Sequence, residues 1–315
     1  MADGYVQMFA KKPSHKAMSP LEKGDHPKID TTPLLDPDGV SKYQSLVGSM
    51  QWAVSLGRFD IATAVMALSS FRAAPRKGHL ERAKRVCCFA VSMKHAALCF
   101  RVNEPDLSSV PIPEYDWSFS VYGDVKEELP KDAPEPLGNY VQLTHYVDAN
   151  LMHCLLTGRS VTGILHFMNQ TPIDWYTKKQ STAETATFGS EFVAACTATE
   201  QIIDLRNTLR YLGVPICQHS YLFGDNQTVV NSATQPHGKL HKRHTMLSFH
   251  RVREAIASKM IVFTHIAGSM NPADILSKHW SKPQVWPMLR VLLFYFGDTY
   301  DTLKDTPTTK ETQET

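Results

Sequence analysis

Four acidic residues in the second half of the chain have the types and settings of a metal-binding set. Asp148 and Asp225 close apolar runs, in HYVDAN and YLFGDN, whereas Glu191 lies in GSEFVAAC and Asp274 in NPADIL. Carboxylates without cysteine or histidine companions suit hard divalent cations, which prefer oxygen ligands. Such ions, held in pairs, cut phosphodiesters by in-line attack of water. The four residues therefore predict a metal-dependent phosphodiesterase centre.

Each of these acids also has an ordinary explanation when it is taken alone. An aspartate at a strand end is commonly a turn or helix-capping residue, and Glu191 by itself would be a solvated helix residue. Two neighbouring strand ends would nevertheless place Asp148 and Asp225 side by side at one sheet edge, where α/β sites gather. Spacing alone leaves both explanations open.

The elements that must position these acids follow an α/β pattern from Val141 onward. Strand candidates in VQLTHYVD, SVTGILHFMN and PIDWYTKK follow closely, as in an antiparallel meander. Residues 186–212 carry an apolar stripe of helical spacing that Gly213 and Pro215 end. HSYLFGD and MIVFTHIA are two further strand candidates. We expect an α/β fold in which helices flank the sheet.

Composition divides the chain into four parts. Residues 1–100 begin as a polar, proline-bearing arm and continue as three helical runs, which predict a small helical unit. Residues 101–140 are rich in proline and acids and predict a linker, with a short strand at 117–122. Residues 141–280 form the α/β domain, and 281–315 give an apolar helix followed by a frayed polar tail.

Bulk properties exclude several classes of protein. Hydrophobic residues make up 43% of the 315, which supports a packed core, and the net charge is only +2, so any nucleic-acid binding must depend on local patches. No apolar run reaches the ~18 residues of a membrane span, and the N-terminus has no apolar signal region. The cysteines lack CxxC spacing and are expected to be free thiols in a reducing compartment, so we expect a cytoplasmic protein.

Local basic groups lie beside the acidic set in the sequence. A charged run is usually a solvated face. Next to an acidic metal centre, such groups would instead hold phosphates and fix the register of a nucleic acid, in a salt-sensitive manner. The predicted nucleic-acid contacts are Lys178, Lys179, Asn226, Lys242, Arg243 and His244.

Five blocks of the second half resemble a known domain. TPIDWYTKKQSTAETATFGSEFVA resembles the strand–turn–helix of the ribonuclease H domain in copia-type LTR retrotransposon polyproteins, usually worded PISWxSKKQxTVALSSTEAEYxA. The other blocks follow in family order: HYVDANLMHCLLTGRSVTGILHFMN, YLFGDNQTVVNSA, HKRHTMLSFHRVREAI and HIAGSMNPADILSK.

The resemblance implies a site, a reaction and a fold. It maps the four metal ligands onto Asp148, Glu191, Asp225 and Asp274. It implies two Mg²⁺ ions, which Mn²⁺ can replace, and hydrolysis of the RNA strand of RNA–DNA hybrids. The implied fold is α/β, with a ribonuclease H-like mixed sheet flanked by helices and preceded by a small helical segment.

The resemblance also extends upstream. The segment from KYQSLVGSM to LERAKRV is similar to the end of the reverse transcriptase in the same polyproteins, its thumb and connecting region. The polymerase's YxDD motif is absent from these 315 residues, so no DNA synthesis is expected. The implied partners are an RNA–DNA hybrid and the upstream reverse transcriptase part, with no membrane, in the cytoplasm or within a virus-like particle.

Two alternatives remain open. The chain could be an inactive retroelement relic that only binds nucleic acid or partner chains, or it could belong to the integrase-like branch of the same fold, which uses three carboxylates. The helix with Glu191, placed between Asp148 and Asp225, favours the ribonuclease H branch. Many ribonucleases H also carry a mobile histidine before the last aspartate, but His265 lies within a predicted strand.

Overall fold

One five-stranded mixed sheet organises the part of the chain that positions the acids. A computed structural model describes residues 1–14, 17–113, 115–123, 125–240 and 245–293. The sheet order is β3-β2-β1-β4-β5. The strands are β1 (Leu143–Asn150), β2 (Val161–Met168), β3 (Thr171–Lys179), β4 (Ser220–Gly224) and β5 (Ile261–His265). β1, β2 and β3 are antiparallel, whereas β4 and β5 run parallel to β1. The predicted α/β class with a mixed sheet flanked by helices is confirmed.

Local sequence explains both kinds of strand connection. β2 and β3 are joined by a tight turn at Asn169 and Gln170, and Asn169 has a positive φ of 54°. Asparagine tolerates this left-handed backbone better than most residues, which suits a short hairpin. The parallel pairing of β1 with β4 requires a long crossover, which a helix supplies.

Nine α-helices lie within the described ranges. They are α1 (Ala2–Phe9), α2 (Pro37–Ser55), α3 (Ala62–Ser69), α4 (Lys77–Ser92), α5 (Thr187–Tyr211), α6 (Gln227–Thr234), α7 (Met246–Ala257), α8 (Asp274–Ser277) and α9 (Lys282–Leu293). The long helix predicted at 186–212 is confirmed as α5. None of the described helices combines the length and apolar character that a bilayer crossing requires.

The two faces of the sheet have different neighbours. On one face, Phe192 and Ile202 of α5 pack with Val147 and Leu222 of β1 and β4. On the other face, the core formed by α2, α3 and α4 is continuous with β2, α8 and α9, for example through Phe167. The N-terminal helices therefore pack on the same side of the sheet as α8, which carries one of the predicted metal ligands. The predicted domain limits at residues 100, 140 and 280 stay predictions.

The short strand predicted at 117–122 is wrong. Asp116 accepts hydrogen bonds from both the backbone N–H and the hydroxyl of Ser118, and the Ser120 hydroxyl accepts from the N–H of Tyr122. Such side-chain-to-backbone bonds favour turns over strand pairing. Trp117 is buried, and the guanidinium of Arg253 lies 4.8 Å from its ring centroid.

Candidate metal centre

The sheet register brings the first and third predicted ligands together. Val147 of β1 pairs with Gly224 of β4 in the parallel ladder, so the next residues, Asp148 within β1 and Asp225 directly after β4, lie side by side at the same level. Glu191 lies in the first turns of α5, which packs on β1. One oxygen from each of these three carboxyls lies within 4.8 Å of the other two. Within the described ranges, these three carboxyl groups are close enough together to hold a metal ion.

Burial and mutual repulsion raise the pKa values of carboxyl groups in this cluster. Asp148 is 1% exposed and Glu191 is 7% exposed. Burial, followed by the charges of Asp148 and Asp225, raises the pKa of Glu191 to about 9. Burial and the charge of Asp148 also raise the pKa of Asp225. A divalent cation among these oxygens would relieve both the repulsion and the loss of hydration.

Asp274, the fourth predicted ligand, reaches the cluster through a lysine. Lys278 Nζ lies 2.7 Å from Asp274 Oδ1 and 3.2 Å from Asp148 Oδ1. Burial, followed by the charge of Asp148, raises the pKa of Asp274 to about 6, although Lys278 opposes this shift. Burial disfavours the Lys278 ammonium, but its two carboxylate partners outweigh burial and raise its pKa. Three of the four acids therefore lie close together, and Asp274 is linked to Asp148 by the ammonium group of Lys278, which lies between them.

The segment that carries Asp274 is fixed to β1 by buried polar bonds. The Ser277 hydroxyl donates to Asp148 Oδ2. The Asn271 amide donates to the carbonyl of Val147 at 2.9 Å, and its oxygen accepts from the N–H of Ala273 at 3.1 Å. These bonds set the distance between α8 and the end of β1, and so the width of the pocket.

A glycine allows α8 to approach the sheet this closely. Gly163 of β2 pairs with both Asp148 and Thr177. A Cβ at Gly163 would lie 2.7 Å from the carbonyl oxygen of Ala273 and 2.9 Å from backbone atoms of Leu276 and Ser277. Only a residue without a side chain fits between β2 and α8 in this arrangement.

Two threonines satisfy carbonyl groups of the short helix α8. The Thr63 hydroxyl, from α3, donates to the carbonyl of Ile275 at 3.1 Å, and the Thr177 hydroxyl, from β3, donates to that of Leu276 at 2.9 Å. A four-residue helix cannot satisfy its own C-terminal carbonyls, so these outside donors stabilise it. The N-terminal helices thus help to hold the segment that completes the pocket.

Sequence reasoning missed these supporting residues. Ser277 and Lys278 stand inside the block PADILSK, and Lys278 follows Asp274 by one helical turn. That i, i+4 spacing was an available signal for a pair on one helix face. The contacts of Gly163 and Thr63 with α8 depend on tertiary packing and left no signal in the local sequence.

The residues predicted to contact nucleic acid differ in their exposure, and three of them lie outside the described residues. Lys178 is exposed and Lys179 half-buried at the end of β3. Asn226 follows Asp225 directly, and its side-chain oxygen accepts from two backbone N–H groups of α6, so it caps that helix. Lys242, Arg243 and His244 lie outside the described residues. Nucleic-acid contact by this whole set stays a prediction.

His265 lies nearer the pocket than its predicted strand position suggested. It is the last residue of β5, and its Nε2 lies 3.2 Å from the carbonyl oxygen of Asp225. It also lowers the pKa of Asp225, against the stronger effect of burial.

Curated relatives are transposon polyproteins. No protein-family model matches the chain. Over 237 residues, 75% of the chain, it is 25% identical to the retrovirus-related Pol polyprotein from transposon TNT 1-94 of Nicotiana tabacum. Over 280 residues, 88% of the chain, it is 22% identical to the Pol polyprotein from transposon RE1 of Arabidopsis thaliana. The chain spans 15% and 16% of the length of these two relatives.

Among solved structures, similarity is found to ribonucleases H. The N-terminal RNase H domain of Rv2228c from Mycobacterium tuberculosis superposes with a TM-score of 0.35 and 13% identity, over 44% of this chain and 91% of that one. RNase H1 from Halobacterium salinarum superposes with a TM-score of 0.33 and 15% identity, over 44% of this chain and 95% of that one. The strand order and pairing described above define the fold independently of these superpositions.

Proposed function

Because the chain is homologous over most of its length to the retrovirus-related Pol polyproteins of plant transposons, we propose that it is a metal-dependent endonuclease that hydrolyses the RNA strand of RNA–DNA hybrids. The observation that carries this proposal is the convergence of Asp148, Glu191 and Asp225, whose oxygens lie within 4.8 Å of one another. Asp274 joins them through Lys278. This is a set of oxygen ligands from β1, α5, the end of β4 and α8.

The donor set fits a hard divalent cation. Carboxylate oxygens are the ligands that Mg²⁺ and Mn²⁺ prefer, and the set includes neither the thiolates nor the imidazoles that softer metals favour. We assign Asp148, Glu191 and Asp225 as the residues that would hold the metal, with Asp274 completing the shell, and two Mg²⁺ ions as the physiological occupants. Bound in this way, divalent cations supply Lewis-acid stabilisation of an in-line displacement at phosphorus.

The protein's own residues prepare this site. The Ser277 hydroxyl and the Lys278 ammonium each bond one oxygen of Asp148, so they fix the orientation of a carboxylate that is almost fully buried. Glu191 has a raised pKa and must lose its proton before it can coordinate a cation. Lys278 limits the negative charge of the pocket, which favours the approach of a phosphodiester.

The substrate and setting follow from the same proposal. An A-form-like duplex displays its 2′-hydroxyl groups in a wide, shallow minor groove, and contacts to them let a protein choose RNA over DNA. The upstream reverse transcriptase part of the polyprotein is the proposed protein partner. The proposed location is the cytoplasm, or a virus-like particle formed there.

A cleavage assay tests the proposal. The purified chain is incubated with an RNA–DNA hybrid labelled on the RNA strand, with Mg²⁺, with Mn²⁺ or with EDTA. We expect cleavage of the RNA strand with either metal, none with EDTA, and none of single-stranded RNA or duplex DNA. Asp148→Asn should abolish cleavage, whereas Asp3→Asn, a change at an exposed carboxylate of α1, should leave it intact.

Two results would remove the proposal. Equal cleavage by Asp148→Asn and the unmodified chain would show that the activity does not come from this pocket. Binding of the hybrid without cleavage under either metal would identify the chain as a nucleic-acid-binding relic.

A further inference from the structure

A cleft of about 340 Å³ adjoins the carboxylate pocket. Asp274 stands at its edge and belongs to both. Three segments supply its walls: the N-terminal segment before α2, the loop between β1 and β2, and the connection from α8 to α9. Its polar side chains are those of Lys23, Asp25, His26, Asn150, His153, Asp274, Lys278, His279 and Gln284.

The acidic groups that line this cleft are already engaged. Both oxygens of Asp25 accept from Arg82 Nε, at 3.0 and 2.9 Å. Asp274 pairs with Lys278 at 2.7 Å. The cleft therefore presents the Lys23 ammonium and imidazole and amide groups, without a free carboxylate among its described lining residues. Such a lining suits an anion.

The histidines of the cleft are neutral hydrogen-bonding groups. Burial, followed by His279, His26 and nearby lysines, lowers the pKa of His153 to about 4. Burial also lowers the pKa of His279 to about 4. Both rings are therefore neutral at pH 7 and can each donate one N–H, while Lys23 is the lining cation that no carboxylate of the described residues pairs.

One of these rings has hydrogen-bonding capacity to spare. His279 Nε2 is buried and makes no hydrogen bond to any described residue. Its ring centroid lies 5.1 Å from that of His153, whose Nδ1 lies 3.0 Å from the Asn150 amide nitrogen. A buried polar atom without a partner is unfavourable, and a small displacement toward an anion in the cleft would satisfy it.

We propose that this cleft binds a backbone phosphate of the same nucleic-acid strand that the carboxylate pocket cuts, close to the scissile phosphate. This inference rests on the proposed function, because the cleft is continuous with that pocket through Asp274 and Lys278. Phosphate contacts from lysine, asparagine and imidazole groups position a strand without reading its sequence. The N-terminal segment, through Lys23, is thereby part of the substrate-binding surface.

Lys23 is the residue through which the inference is best tested. Its side chain is exposed, so Lys23→Ala should leave folding unchanged. Lys11, also exposed and on the same N-terminal part, does not line the cleft and gives the matched control Lys11→Ala. Thermal unfolding of both variants checks that the fold is preserved.

The first measurement is the salt dependence of binding. All variants carry Asp148→Asn, which prevents cleavage, and bind a labelled RNA–DNA hybrid in Mg²⁺, followed by fluorescence anisotropy. Loss of one phosphate contact lowers the slope of log K against log salt by about 0.9. The affinity difference between the parent and Lys23→Ala should therefore shrink about 3-fold between 50 and 200 mM salt. Lys11→Ala should match its parent throughout.

The second measurement locates the contact. Hybrids carry one uncharged methylphosphonate linkage at successive positions around the cleavage site. In the parent, one position should weaken binding, and Lys23→Ala should lose this penalty because the contact is already gone. The inference is overturned if Lys23→Ala has the parent's affinity and slope, or if both proteins show the same penalties at every position.

These outcomes are separable from those of the proposed function. A penalty that depends on Lys23 in a chain that never cleaves hybrid would support the cleft and remove the nuclease. Normal cleavage of the hybrid, with no effect of Lys23→Ala on binding, would support the nuclease and remove the proposed phosphate contact in the cleft.

Discussion

Gly163→Ala should damage the pocket by moving α8. The added Cβ would lie 2.7 Å from the carbonyl oxygen of Ala273 and 2.9 Å from backbone atoms of Leu276 and Ser277. These are backbone atoms of a buried helix that side-chain hydroxyls hold in place, so no rotamer change can relieve the contact. Overpacking of this kind costs about 1–3 kcal/mol of folding free energy.

The same displacement should also reduce catalysis by the molecules that remain folded. Ser277 and Lys278 both bond Asp148, so a shift of α8 away from β2 lengthens both contacts. A misplacement of about 1 Å at an active site can lower a rate roughly 100-fold. We therefore expect a loss of about 10- to 100-fold in hybrid cleavage under conditions where the variant is still folded.

Urea unfolding and single-turnover cleavage measure these two effects, with Gly48→Ala as the matched control. A Cβ at Gly48, an exposed position within α2, meets no atom within 4 Å, so this change should stabilise the chain by about 0.5–1 kcal/mol. Unchanged stability and cleavage in Gly163→Ala would show that α8 does not approach β2 as described and would refute the reasoning.

Three further predictions concern the core and the metal. Glu127→Gln removes the carboxylate that binds the buried guanidinium of Arg206 at 2.7 Å, and should cost about 3–5 kcal/mol in urea unfolding; a cost below about 1 kcal/mol would contradict the buried pair. Burial lowers the pKa values of His145 and His166 in the folded chain. Below the ordinary histidine pKa of about 6.5, the unfolded chain therefore binds more protons than the folded chain, and the free energy of unfolding should fall as the pH drops from 7 to 5. His166→Gln should make this pH dependence weaker. Because the pKa of Glu191 is raised to about 9, Mn²⁺ binding must release a proton, and calorimetry should show affinity rising by up to about tenfold per pH unit between 6.5 and 8.5; affinity independent of pH would exclude Glu191 as a ligand.

The sequence predicts the elements that bear the acids better than the contacts that fix them. Apolar runs that end in Asp148 and Asp225, and the long apolar stripe of α5, are local patterns, so β1, β4 and α5 lie where expected. Resemblance to the family then predicts which of these acids are metal ligands. The pairing of Lys278 with Asp148 joins residues 130 positions apart and depends on how α8 docks. No periodicity of either segment predicts that approach.

Two further features could not be predicted from the sequence, for similar reasons. Residues 117–122 have the aromatic alternation of a strand, but the side chain of Asp116 and the hydroxyl of Ser120 bind nearby backbone N–H groups and favour turns. Lys23 stands in a polar arm with no regular pattern, and only the packing of that arm beside the β1–β2 loop brings it to the cleft.

The most direct test of the central claim is a crystal structure of the chain grown with Mn²⁺, with anomalous diffraction used to locate the ion. The account predicts an anomalous peak coordinated by oxygens of Asp148, Glu191 and Asp225, with Asp274 directed at the same pocket. Anomalous peaks for Mn²⁺ at other sites, with none among these carboxyl groups, would contradict it.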